Sequence, residues 1–146
     1  RIPAFVNYLG IKRNSDAEYT DRFPVSLLCP VSRGALHDLQ NGTGNVTSSY
    51  GMSYATVWDT TRVYRLNRLK RPSSSASWTD ALDWMLYNSN MPGYLANEES
   101  MAGDGRVAYR HSQSLNAGML DGHVTNYSYR YLQLPENFNR MLKNFY

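Results

Sequence analysis

Hydrophobic and polar positions change places along this chain in short blocks, and a clear stripe at helical spacing appears only near the C-terminus. There Pro135, Phe138, Met141, Leu142 and Phe145 recur at three- and four-residue steps, which predicts a closing amphipathic helix with Pro in its first turn. Residues 3–10, PAFVNYLG, begin with Pro and end with Gly and predict a second short helix of about two turns. The apolar run from Phe23 to Cys29, stopped by Pro30, reads as a strand. Gly42 to Ser49 has a loop composition, and the aromatic and β-branched run SYGMSYATVW from Ser49 to Trp58 reads as the next strand. Between Arg62 and Arg71 the segment VYRLNRLK alternates loosely, so strand and short helix both fit until Pro72 and three serines end it. In SWTDALDWMLY, residues 77–87, Trp78, Ala81, Leu82 and Met85 keep helical spacing inside a β-rich context.

Residues 88–105 carry Pro92, Gly93, Gly103 and Gly105 among Asn, Glu and Asp, and predict a long irregular excursion. Three short runs follow, Val107 to His111, Leu115 to Leu120 and His123 to Tyr131. They are separated by Ser112-Gln113-Ser114 and by Asp121-Gly122, which predicts a three-strand meander with a type I′ turn at Asp-Gly. The expected fold class is α+β, a small antiparallel sheet with short helices in one domain over residues 1–146. No internal repeat is evident.

Composition narrows the setting. A chain of 146 residues with 42% hydrophobic content can bury about 68–70% of its unfolded surface, so it needs no disulfide framework to hold a core. Charged residues make up only 18%, while aromatics reach 13% with twelve Tyr, so polarity comes from Ser, Thr, Asn and Tyr, a surface suited to an extracytoplasmic, strand-rich domain. The net charge of +3 is too small a field to argue nucleic acid as a partner. No stretch approaches the roughly 18 apolar residues that cross a bilayer, and the longest patch, Val25 to Val31, is broken by Ser26 and Pro30. Because the chain starts at Arg1, it is expected to be a processed or trimmed piece of a longer product. Its single cysteine, Cys29, excludes an internal disulfide and any multi-cysteine metal cluster.

At His111 the chain reads RHSQSLNAGMLDGHV, a His followed after nine residues by Asp121-Gly122, with Asn116 between and His123 behind. Upstream stand SLLCP ending at Pro30, then Ser49-Tyr50-Gly51, then Pro72-Ser73 with Asp80. In this order the pieces resemble the His-x9-Asp-Gly domain at the C-terminus of prepilin-type, pseudopilin-like proteins, over residues 26 to 129. One departure is Val31-Ser32-Arg33, where members of that family often continue Cys-Pro with Ser and Asp. The resemblance implies a soluble head whose missing upstream part is a prepilin signal and a long hydrophobic helix, cleaved and N-methylated by a prepilin peptidase. That helix would anchor the head at the inner membrane, facing the periplasm. The head would act as a structural subunit of a type II secretion or type IV pilus-like fibre, its partners other pseudopilin subunits and the secretion machinery. A cysteine in the missing helix region is the mate the resemblance implies for Cys29. His111, Asn116, Asp121, Gly122 and His123 would then be a fold signature, with no catalytic residue and no required cofactor.

Other chemistries compete for the same residues. His111, Asp121 and His123 offer two imidazoles and a carboxylate, enough for a zinc-dependent hydrolase, although Asp at a hairpin turn also caps its own backbone. A Ser-His-Asp hydrolase drawn from His37 or His111 lacks a Gly-x-Ser-x-Gly elbow. Glu98, Glu99 and Asp104 are weak calcium candidates without EF-hand spacing. Arg62, Arg65, Arg68, Lys70 and Arg71 form a basic run around Tyr64 that reads first as a solvated face. Trp58, Trp78 and Trp84 suit the alternative of a secreted glycan- or surface-binding module that stacks rings on apolar ligand faces. Sequons at Asn41, Asn45 and Asn126 are frequent by chance in Asn-rich loops.

Overall fold

The structure, a computed structural model, describes residues 22–32, 35–36, 39–40, 42–46, 49–53, 66–82, 85–86 and 107–142. The expected helix at residues 3–10, the excursion at 88–105 and the second half of the Ser49–Trp58 run lie outside the described residues. The described elements mix helix and strand, in keeping with an α+β fold. Seven strands, β1 (Arg22–Pro24), β2 (Thr43–Asn45), β3 (Tyr50–Ser53), β4 (Ala76–Asp80), β5 (Met85–Leu86), β6 (Ser114–Met119) and β7 (Val124–Ser128), precede two helices, α1 (Tyr129–Leu132) and α2 (Pro135–Leu142). Strands β1 and β2 pair antiparallel by themselves, and the other five form a sheet in the order β5-β3-β4-β6-β7. Every pairing in that sheet is antiparallel except β3 with β5.

Both helices pack on one face of the five-stranded sheet. Leu132, Phe138, Met141 and Leu142 meet Leu115, Ala117, Met119, Ala76 and Leu86 in one buried cluster. The predicted stripe therefore does what its spacing required, with Phe138, Met141 and Leu142 at 2% exposure or less. Ser128 caps α1 by accepting from the Tyr131 N–H at 3.2 Å, which is why the apolar run from His123 stops being a strand at Ser128. Tyr129 then meets Tyr109 edge-on at 5.2 Å between ring centres.

A bulge in β4 between Ala76 and Trp78 decides what reaches the opposite face. Before it, Ala76 pairs with Met119 in the helix-covered core; after it, Thr79 pairs with Ala117 on that same side. One residue of slip thus exchanges the two faces, and Trp78 and Asp80 point away from the helices. Tyr50 and Met52 of β3 sit opposite Asp80 and Trp78 and share that second face.

Four expectations are corrected. The helical spacing within residues 77–87 gives way, in the described residues, to β4 and β5, because pairing of β4 to strands on both sides outweighs a local 3.6-residue pattern. The run from Phe23 ends as a strand at Pro24; Val25–Leu27 form a single 3-10 turn, and Val25 and Leu27 lie 38% and 37% exposed. The Gly42–Ser49 loop contains β2, whose Gly44 packs so tightly that a Cβ there would lie 2.4 Å from the Ala35 carbonyl oxygen. The three-strand meander is a two-stranded hairpin, β6–β7, preceded by Val107, which makes only an isolated bridge to Ala81. In the basic stretch, Leu66–Arg68 form one 3-10 turn, the helical side of the two open readings.

The turn geometry also differs from expectation. His111 and Ser114 exchange backbone hydrogen bonds around Ser112 and Gln113, both with positive φ, 54° and 60°, which is the signature of a type I′ turn. At Asp121-Gly122 the Gly122 N–H instead reaches the Met119 carbonyl, the Met119 N–H reaches the His123 carbonyl, and only Gly122 has positive φ, 94°. That is a three-residue turn with a glycine bulge.

Candidate functional site

The second face of the sheet, at the Asp80 end of β4, is covered by the segment that follows the Val25–Leu27 turn. Leu28, Cys29, Ser32 and Ala35 are all buried there. Ser32 N–H bonds back to the Cys29 carbonyl and Leu36 N–H to the Ser32 carbonyl, a local winding that Pro30 can enter because it needs no donor. Cys29 is fastened to the residue just before β3 through its own N–H, which donates to the Ser49 hydroxyl at 2.7 Å.

Asp80 closes β4 at 1% exposure. Its Oδ2 accepts the Asn116 backbone N–H at 2.7 Å and lies 3.2 Å from His111 Nε2. Its other oxygen, Oδ1, is buried with no hydrogen-bond partner among the described residues. Burial pushes the Asp80 carboxyl above its ordinary value, and the Asn116 N–H with the His111 and Arg110 charges pulls it back only in part. The Tyr50 hydroxyl is raised as well, first by burial and then by Cys29 and Asp80 beside it.

His111 enters from the type I′ turn, with its side chain 29% exposed. The turn fixes its backbone, and the Ser114 hydroxyl donates to the His111 carbonyl. Its Nε2 lies 3.6 Å from Cys29 Sγ, so thiol, imidazole and carboxylate converge, with one donor atom from each within 4.8 Å of the others. Arg110 frames the junction by donating to the carbonyls of Ser49 at 2.7 Å and Ala81 at 2.6 Å.

Both contacts to His111 use the same ring nitrogen. A nucleophilic relay needs the nucleophile on one nitrogen and the orienting carboxylate on the other, which polarises the imidazole along its length. Here three donors meet around one point instead, an arrangement that holds a shared proton or a cation.

The trio read as a zinc hydrolase, His111, Asp121 and His123, is not assembled. His123 Nδ1 pairs with Asp121 Oδ1 at 2.6 Å on the exposed turn beyond Met119, while His111 lies before Ser114 at the other end of β6. At about 3.3 Å per residue the length of β6 puts them roughly 17–20 Å apart. Asn116 contributes its backbone to the junction; its side-chain oxygen accepts from Asn126 Nδ2 at 3.0 Å on the neighbouring strand. Glu98, Glu99, Asp104, His37, Trp58, Trp84, Arg62 and Arg65 lie outside the described residues, so the calcium reading has no described geometry. Arg68, Lys70 and Arg71 are exposed around a buried Leu69.

Sequence reading placed Cys29, Asp80 and His111 in one ordered set without bringing them together as donors, and it passed over the Ser49 hydroxyl and Arg110. The one available signal was that each of the three is the chemically distinctive residue of its own conspicuous segment. No protein-family model matches this chain, and no curated protein and no solved structure matches it.

Proposed function

We propose that this chain is the head of a pseudopilin-like structural subunit, extracytoplasmic and anchored at the inner membrane, that works by assembly into a type II secretion or type IV pilus-like fibre. Its partners are other pseudopilin subunits and the secretion machinery, with a prepilin peptidase acting on the precursor. The supporting observation is that the separated pieces carrying the resemblance, Cys29, Ser49-Tyr50, Asp80, His111 and Asn116, meet at one junction on the sheet. A non-enzymatic role agrees with a thiol and a carboxylate that are each 1% exposed and both address Nε2 of His111.

Mass spectrometry of the mature protein isolated from its own cells tests the reading. A methylated N-terminal residue at the head of an apolar segment is expected, and a terminus left by conventional signal peptidase contradicts it. A second reading, the glycan- or surface-binding module, has one feature in its favour: Trp78 is 43% exposed on the sheet face away from the helices. Glycan-array binding by the purified chain that is lost in Trp78→Ala favours that module.

A further inference from the structure

We propose that Cys29, Asp80 and His111 are three protein ligands of a divalent transition-metal site, with zinc as the ion the donor set favours and a solvent molecule as the fourth ligand. This site needs Cys29 as a free thiolate, as it stands here, in place of the disulfide that the resemblance implies for it, and otherwise holds whether or not the chain assembles.

Geometry carries it first. Zinc takes sulfur at about 2.3 Å, imidazole nitrogen at about 2.0–2.1 Å and carboxylate oxygen at about 2.0–2.2 Å in a tetrahedron. Those bond lengths set the edges of the tetrahedron at about 3.6 Å from sulfur to nitrogen or oxygen and about 3.4 Å from nitrogen to oxygen. The corresponding separations here are 3.6 Å from Cys29 Sγ to His111 Nε2 and 3.2 Å from His111 Nε2 to Asp80 Oδ2. A thiol–imidazole hydrogen bond and an imidazole–carboxylate ion pair give the same two separations, so the three donors, all within 4.8 Å of one another, are already spaced to accept an ion with little movement.

The surroundings carry it second. Asp80 is 1% exposed, yet its Oδ1 has no hydrogen-bond partner among the described residues, a costly arrangement for a carboxylate unless a cation shares it. The Asn116 N–H on Oδ2 is the kind of outer bond that aims a ligating carboxylate, and the Ser49 hydroxyl on the Cys29 N–H fixes the thiol's backbone. His111, 29% exposed, leaves a route for the ion and for the fourth ligand. Chemistry makes the third case: a thiolate and an imidazole select zinc or its neighbours over magnesium or calcium, which prefer oxygen. A bound ion would join three segments that lie far apart in the chain, adding its binding energy to the stability of the head.

The test is titration of the purified, metal-stripped full chain with Zn²⁺ and with Co²⁺, followed by calorimetry, thermal melting and absorption spectroscopy. One ion per chain, a raised melting temperature, and a thiolate-to-cobalt charge-transfer band are expected. Because Cys29 is the sole cysteine of the sequence, that band identifies the ligand even if Cys29→Ser fails to fold. Asp80→Asn and His111→Gln should weaken binding by more than the about 10–100-fold that loss of an outer-shell partner costs, while Asp121→Asn and His123→Gln leave it unchanged. Absence of binding, a cobalt complex without the thiolate band, or binding lost in His123→Gln and kept in His111→Gln overturns the proposal.

Discussion

Gly44 is a residue for which the fold has no side chain's worth of room. A Cβ there would meet the Ala35 carbonyl oxygen at 2.4 Å and Leu28 Cδ1 at 2.7 Å, directly beside Cys29. Gly44→Ala should therefore destabilise by about 1–3 kcal/mol through forced displacement of the 28–35 segment, measured by chemical denaturation. A melting curve indistinguishable from the parent's would remove that account of the packing.

Asp121 and His123 make the opposite kind of pair, exposed and local. Desolvation acts to raise the Asp121 carboxyl, but the backbone N–H and then the ring of His123 outweigh it, and the net direction is downward from 3.8. A depressed carboxylate contributes stability above its unfolded value and loses it as pH falls through the folded one. The stability gap between the parent and Asp121→Asn should thus be present at pH 6 and close below about pH 4; a gap that widens on acidification contradicts the pairing. These two residues and His111 were all visible in the sequence, and so was each junction donor. What the sequence concealed was which histidine keeps company with which acid. Partnership across β4, β6 and the 28–36 segment depends on pairing between residues far apart in the chain, whereas the Asp121–His123 contact is fixed within one turn.

Elements were legible where the local pattern and the tertiary setting agree. The stripe from Pro135 became α2 because three of its apolar residues found a sheet face to cover. Residues 77–87 carried a shorter and weaker helical spacing in a β-rich context, and β4 lies in the middle of the sheet with partners on both sides, so ladder bonding prevailed. The hairpin at β6–β7 was found at the right residues with the wrong turn, since Asp-Gly serves a three-residue turn as readily as a two-residue one. The unexpected type I′ turn holds Ser112 and Gln113 at positive φ, a conformation that costs a side-chain-bearing residue about 1–2 kcal/mol. Gln113→Gly should accordingly stabilise the chain by about 0.5–1 kcal/mol, after allowance for the freer unfolded chain. Loss of stability in that variant would show that the Gln113 side chain makes up the strain elsewhere.

At the scale of the molecule, mixed helix and strand could be read from the chain, and so could the order of its conspicuous segments. The way they fold onto one another could not. A bulge in β4 turns Asp80 toward the face that the Cys29 segment covers, and a single-residue slip of that kind leaves no mark in composition or periodicity. Among the described residues no helix is long and apolar enough to cross a membrane. A head of this design would leave its junction intact while its surface met neighbouring subunits. The most direct measurement is cross-linking mass spectrometry of the native protein in its own envelope fraction. Cross-links from this chain to other pseudopilin-type subunits, and to further copies of itself in a sedimenting fibre, are the expected result. A monomer recovered in the supernatant without such cross-links would contradict the assembly reading.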